Sequence, residues 1–340
     1  MIRPAFAALI LLAAVPPASA ASFDCARAGT AFEKAICASA ELSQQDDILA
    51  QAYATALGGL SGGAVGEVKA TQKDWLGYAQ RACSDDAQPV AGSYSDEQAQ
   101  CLVDTFRGRI RDLEASRMQG GFRFYPVDRY LVAPDTVLGP DDFGYKLSDR
   151  QYHTVMIDRA DDMAAAFNAA IGALMAGAEI FEPGTTRIAG GDGSADSDAT
   201  TSVSAVTSHR ISLTTDDYWF GHGAAHGNYF ITHRHFLTGE KRMLEASDIF
   251  AGEGWEQKLA DIAVKKLKDL MGDDLFDGFE ADIPAIVADP ARWFFADEGL
   301  GIQFNIYEVT AYAAGAPVIT IPWDELDGLL AAGALDIAYY

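Results

Sequence analysis

GHGAAHGNYFITHRHF, residues 221–236, reads as a turn followed by a strand. Glycines at 221, 223 and 227 make the first seven residues a poor helix. From Asn228 onward, aromatic and β-branched residues follow one another as they do in strands. His233 and His235 flank Arg234 and therefore share one side of that strand. His222 and His226 are four apart, the spacing of a same-face metal pair on a helix, as in HExxH. This stretch carries no glutamate, so it is expected to shape a hairpin and to hold no metal. No other cofactor is expected either. Tyr218, Trp219 and Phe220 precede the turn. Tyr and Trp dominate the energetics of protein interfaces, so Tyr218, Trp219, His222, His226 and Asn228 are the candidate contact residues. Packing of the aromatics against the sheet is the competing reading.

Working outward, further strands are expected at 152–158, 203–214, 302–310 and 317–321. Two helices interrupt them. One, at 161–177, places Met163, Phe167, Ile171 and Leu174 at helical spacing; the other, at 255–271, does so with Leu259, Ile262, Leu267 and Leu270. GGDGSADSDAT (190–200) reads as a loop. It is no EF-hand: counting from Asp192, Ser197 stands where Gly is needed and Val203 where Glu is needed. Asp297, Glu298, Gly299 and Leu300 read as a tight turn. The order of elements is that of an α+β domain with a mainly antiparallel sheet and two helices, occupying 150–340.

Upstream of Gly120 and Gly121 the pattern is helical. Thr30 with Glu33 and Ser95 with Gln98 form capping boxes. Helices are expected from Thr30 to Cys37, over 41–57 with Leu49, Ala52, Tyr53 and Ala56 on one face, over 67–83, and from Ser95 onward with Leu102, Val103, Phe106, Ile110 and Leu113 inward. GGLSGGAVG (58–66) stops the second helix, and Trp75 reads as core. Residues 21–118 are thus a small, disulfide-linked, all-α bundle, and 119–149 a linker or lead-in segment. All four cysteines, Cys25, Cys37, Cys83 and Cys101, fall inside the bundle. Their spacing is not that of a zinc site. Pairing 25–37 and 83–101 joins neighbouring elements and is favoured over the two crossed arrangements.

The N-terminus combines Arg3, the apolar run AFAALILLAAV (5–15), two prolines and Ala18-Ser19-Ala20. That is the form of a secretory signal peptide cut after Ala20, too short to span a bilayer. Cys25 is preceded by Ser22-Phe23-Asp24, which is not a lipoprotein box. No membrane anchor is expected after cleavage, and the mature protein is expected to be periplasmic or secreted. Its chemistry is acidic: 49 Asp and Glu against 25 Lys and Arg, a formal charge of −24. Residues 119–340 hold 35 of the acids and 15 of the bases. Such a chain repels nucleic acid and anionic membranes, and attracts basic macromolecules. No GxSxG serine and no spare cysteine offers a nucleophile, so the chain is not read as an enzyme and no catalytic residue is assigned.

FDC (23–25), EKAIC (33–37), Leu42, Asp46, Tyr53, QKDWL (72–76), Cys83, CL (101–102), Arg109 and Leu113 resemble the N-terminal domain of the lysozyme inhibitor LprI family. GHGAAHGN (221–228), LTGE (237–240), LEASDIF (244–250), FFADEGLGIQFNIYEVTAYAAG (294–315) and VITIPWDEL (318–326) resemble the extracytoplasmic domain shared by the anti-sigma factor RsiV and some peptidoglycan deacetylases. The second resemblance spans about 150–330. In RsiV this domain binds lysozyme. The chain has no sigma-binding segment and no deacetylase domain, so neither of those roles is implied. Together the two resemblances imply an exported acidic protein that binds lysozyme or another basic cell-wall hydrolase, with inhibition of that hydrolase as the finer expectation. A non-inhibitory module for peptidoglycan or another envelope component is the alternative, and an enzyme acting on wall polymers the third reading.

Overall fold

The computed structural model describes residues 21–135, 144–177 and 194–339. The expected signal peptide and residues 190–193 of the expected acidic loop lie outside the described residues. Thr30 opens helix α1 (Ala31–Ala38): its hydroxyl accepts from the Glu33 N–H while the Glu33 carboxylate accepts from the Thr30 N–H. Ser39, Ser61 and Ser95 cap α2 (Ala40–Leu57), α3 (Gly62–Ala82) and α4 (Asp96–Leu113), with Ser95 and Gln98 again reciprocal. Each cap satisfies N–H groups that a first helical turn leaves open. Because Ser61 caps α3, glycines 62, 63 and 66 lie inside that helix, and only 58–61 interrupt the chain.

The disulfides are Cys25–Cys37 and Cys83–Cys101. The first ties the chain ahead of α1 to its last turn, and the second joins the end of α3 to α4. Leu42, Val68, Trp75, Leu102 and Phe106 fill the bundle core, with the Trp75 and Phe106 rings edge to face at 5.1 Å.

β1 (Met118–Gln119) turns through Gly120 and Gly121 into β2 (Phe122–Pro134). Both glycines have positive φ, 56° and 83°, as a two-residue I′ turn demands. β3 (Leu147–Ile157) returns antiparallel to β2; α5 (Asp162–Gly177) then crosses over, and β4 (Ala195–Val206) runs parallel to β3. β5 (Arg210–Gly221), β6 (Asn228–Leu237) and β7 (Arg242–Met243) complete a seven-stranded sheet in sequence order, antiparallel except at β3–β4. α5 buries Phe167 and Ile171 against Ile211, Leu213 and Phe236 of that sheet.

α6 (Ala246–Ile249), α7 (Trp255–Met271) and α8 (Ile283–Ala288) lead to a separate three-stranded antiparallel sheet. Its strands are β8 (Trp293–Ala296), β9 (Gly299–Gln303) and β10 (Val318–Pro322), and α9 (Ala334–Tyr339) follows. Leu259, Leu267, Trp293, Ile302 and Ile321 are the centre of a third core. Among the described residues, no helix is long and apolar enough to cross a membrane.

The structure corrects several sequence expectations. Two helices in the second region is an undercount, because α6, α8 and α9 have only 4, 6 and 6 residues, too few for periodicity to register. The segment read as linker contains β2, where Pro126 interrupts the strand pattern. The part of GGDGSADSDAT from Ala195 onward is strand: Ala195, Ser197, Ala199 and Thr201 are buried alternately, but they are too small and polar to announce it. The expected strand 203–214 contains a turn at 207–209, held by the Thr207 hydroxyl accepting from the His209 and Arg210 N–H groups. The strand expected over 302–310 ends at Gln303.

Candidate functional site

β5 and β6 pair along their length, with Tyr218 opposite Tyr229 and Trp219 opposite Asn228, and the 222–227 turn projects beyond them. Tyr218 and Trp219 are 45% and 41% exposed, and Phe230 nearby is 42% exposed. Gly227 is needed here: a Cβ on it would lie 2.3 Å from the Tyr218 hydroxyl.

The two histidines of the turn part company. The His222 side chain is buried, stacks on Tyr145 at 4.3 Å, and has Nδ1 2.6 Å from an Asp135 carboxylate oxygen. It pins the hairpin base to the sheet and presents nothing to a partner. His226 is exposed and stacks on Tyr312 at 4.1 Å. Its Nδ1 donates to the Gly227 carbonyl (3.0 Å), leaving Nε2 to accept from the Tyr307 hydroxyl (3.2 Å). Asn228 is half-buried. The structure thus joins the predicted turn to a loop that the sequence pattern assigned to a strand. Tyr307, 50% exposed, takes φ 64°, unusual for a residue with a side chain. Its turn is braced by Glu308, which accepts from the Asn305 N–H and pairs with Arg292 at 2.5 Å. His226, Tyr307, Tyr312 and Tyr229 are in mutual ring contact with Tyr218 paired beside Tyr229, while Trp219 and Phe230 lie on the opposite face of the hairpin.

His233 and His235 do share one side of β6, and both are buried. His235 is held between the Ser212 hydroxyl and the Trp293 carbonyl, each at 2.8 Å. Burial lowers the two imidazoles to about 4 and about 3, so both are neutral near pH 7. They do not converge with His222 or His226.

A second constellation was not anticipated. A cavity of about 740 Å³ lies between α4 and strands β2–β4. In its wall Arg109, 1% exposed, donates from Nη1 to Asp128 (2.5 Å) and to the Tyr130 hydroxyl (2.9 Å), and from Nε to Gln72 (2.9 Å). Tyr130 donates to Asp112 at 3.1 Å, and His153 Nδ1 lies 3.2 Å from Asp128 and 3.5 Å from Asp112. Burial opposes charge throughout, and the partners decide the outcome. Burial wins at Asp112, raising it to about 6. At Asp128 burial is outweighed by the His153 hydrogen bond and the Arg109 charge, which hold it below the usual carboxylate range. At His153 burial is outweighed by the Asp128 hydrogen bond and both carboxylate charges, which raise it to about 9. Asp112, Asp128 and His153 place three ligand atoms within 4.8 Å of one another. Arg109 and a protonated His153 already neutralise the two carboxylates, however. A metal would have to displace both cations, so the group is an ion-pair network joining the bundle to the sheet. Asp149, in the same wall, is raised to about 7 by burial and the charges of Asp196 and Asp198. Of this network the sequence reading names only Arg109 and, within QKDWL, Gln72; Asp128 sits in β2, which the sequence pattern does not mark as a strand.

Residues 24–113 match the family model described as lysozyme inhibitor LprI, and residues 247–324 match one described as a protein of unknown function, DUF3298. Among solved structures, the chain is similar to a crystal structure of a DUF3298 family member from Bacteroides fragilis NCTC 9343. Identity there is 16%, the match covers 63% of this chain and 96% of that one, and the TM-score is 0.48. It is also similar to a DUF3298 family protein from Pseudomonas aeruginosa PAO1, at 13% identity over 65% of this chain and 98% of that one, with a TM-score of 0.36. No curated protein matches the chain.

Proposed function

We propose that the protein is an exported, non-catalytic binding protein whose partner is lysozyme or a related basic cell-wall hydrolase. The observation that carries this reading is the match of residues 24–113 to the lysozyme inhibitor model, a segment that includes both disulfides. Disulfides belong to oxidising compartments, in keeping with the signal-peptide reading of 1–20. The RsiV-like reading of 150–330 points to the same partner class from the other half of the chain. Charge supports it: −24 overall draws a basic protein and raises its rate of encounter. The 218–228 turn, with Tyr218 and Trp219 exposed, is the contact we assign to the partner. Inhibition follows where that contact covers the hydrolase cleft. The non-catalytic reading is supported by the saturation of Asp112 and Asp128 by Arg109 and His153.

The test is lysozyme binding and muralytic activity with the whole mature chain. Binding with activity falling in proportion supports an inhibitor, and binding with activity unchanged supports a sensor or scavenger. Failure to bind lysozymes of several types leaves the peptidoglycan- or envelope-binding module as the reading.

A further inference from the structure

We infer that the β5–β6 tip and the 304–315 loop form a docking surface for a basic protein, and that a notch between Tyr218 and Tyr229 receives an arginine or lysine side chain of that partner. For the partner's class this rests on the proposed function; the notch itself does not.

The notch follows from strand register. Asp198, Tyr218 and Tyr229 stand opposite one another on three adjacent strands, and one pair-step away so do Thr200, Asp216 and Ile231. Side chains so paired project from one face and lie within reach of each other. They line a depression of about 140 Å³ that combines two phenol rings with carboxylates. Asp217, on the opposite face by strand alternation, only borders it and is held above the usual carboxylate range by burial and by the Asp198 charge. No Lys or Arg lines the notch, and among the described residues none of these three aspartates has an ion-pair partner. Asp198 feels the His153 charge, but no cation pairs directly with it or with Asp216, and a negative site walled by aromatic rings is the complement of a cation. A guanidinium or ammonium over the rings gains the cation–π attraction while meeting the carboxylates, and a planar guanidinium can also stack.

Charge separates this occupant from the others. Two copies of a chain carrying −24 repel. Sugars stack on exposed aromatics, but the carboxylate-bearing glycans of a cell wall would meet the carboxylates of Asp198 and Asp216. Beside the notch, the exposed rings of Tyr218 and Tyr307, with Tyr312 against Tyr229 and His226, supply the apolar surface that a protein partner would cover.

Two measurements on the full mature chain test this. The first is titration with N-ethylguanidinium chloride against a sodium chloride control of equal ionic strength, following the Tyr218 and Tyr229 ring resonances. Saturable shifts confined to the notch are expected, and they should disappear in Asp198→Asn/Asp216→Asn. Shifts no larger than the control's overturn the notch whether or not lysozyme binds. The second is affinity for a basic lysozyme at physiological salt. Tyr218→Ala and Asp198→Asn/Asp216→Asn should each weaken it at least tenfold, while Glu41→Gln/Asp104→Asn, a double charge change on the bundle, should stay within twofold. Thermal melts of the variants should match the parent's. Lysozyme binding that ignores both notch variants overturns the docking surface and the contact assigned to the 218–228 turn, and leaves the proposed partner class standing. No lysozyme binding by the parent, with the guanidinium shifts present, overturns the proposed function and leaves the notch. Tyr218-dependent binding to peptidoglycan in place of lysozyme overturns the protein-partner assignment.

Discussion

His153 should make this protein lose stability as pH rises above neutrality. Its imidazole is raised from 6.5 to about 9 in the folded state by Asp128 and Asp112. The stability it contributes is fully present below its unfolded pKa of about 6.5 and is lost as pH rises through about 9. Linkage with these two values gives a loss of about 2 kcal/mol between pH 7.5 and 9.5. Asp112 and Asp149, at about 6 and about 7, have largely finished titrating by pH 7.5, so they add little in this window. The assay is urea unfolding with disulfides intact, at pH 7.5, 8.5 and 9.5, for the parent and for His153→Gln. At pH 7.5 the variant should be less stable, because it leaves two buried carboxylates facing Arg109 alone. The difference between the proteins should shrink by about 2 kcal/mol by pH 9.5. A constant difference across the three pH values would mean that His153 is not a buried cation.

Three further outcomes are expected. Replacing Cys83 and Cys101 by serine should cost about 3 kcal/mol on the chain-entropy estimate, read as a shift of the urea midpoint; an unchanged midpoint contradicts it. His235, lowered to about 3 by burial, contributes stability above about pH 6.5 that is lost as pH falls. His235→Gln should therefore flatten the acid limb between pH 6.5 and 5 by about 2 kcal/mol, and a limb as steep as the parent's contradicts the assignment. Gly227→Ala should displace the Tyr218 hydroxyl, which a Cβ would approach to 2.3 Å. Stability should change by less than about 1 kcal/mol, because the clash is with the end of an exposed side chain, while lysozyme affinity falls; unchanged affinity removes Tyr218 from the contact.

The bundle was legible because its signals are local. Thr30 with Glu33, Ser95 with Gln98, and the spacing of Leu102, Phe106 and Leu113 each determine structure within a few residues. The hairpin at 221–228 was legible for the same reason. What escaped depends on neighbours distant in sequence. β4 alternates Ala, Ser, Ala and Thr on its buried side, and only the packing of the sheet makes those residues core. β2 carries Pro126, and its Tyr125, Val127 and Val132 join the bundle core rather than a core of their own. The Arg109–Asp128–His153 network draws on α4, β2 and β3, so no spacing rule could have assembled it. At the candidate surface, Tyr218 and Trp219 could be named from the turn. Tyr307 could not, because its segment reads as strand. His222 was named, but its burial against Tyr145 and Asp135 is a tertiary fact.

This acidic, disulfide-linked chain is proposed to bind a basic cell-wall hydrolase through its exposed aromatic tip. The most direct test is the affinity of the whole mature protein for a basic lysozyme, measured at low and at physiological salt alongside muralytic activity. Binding should be specific, weaken as the Debye length shortens to about 8 Å, persist at physiological salt, and be lost with Tyr218→Ala. Binding that vanishes at physiological salt, or no binding to lysozymes of several types, would contradict the proposal.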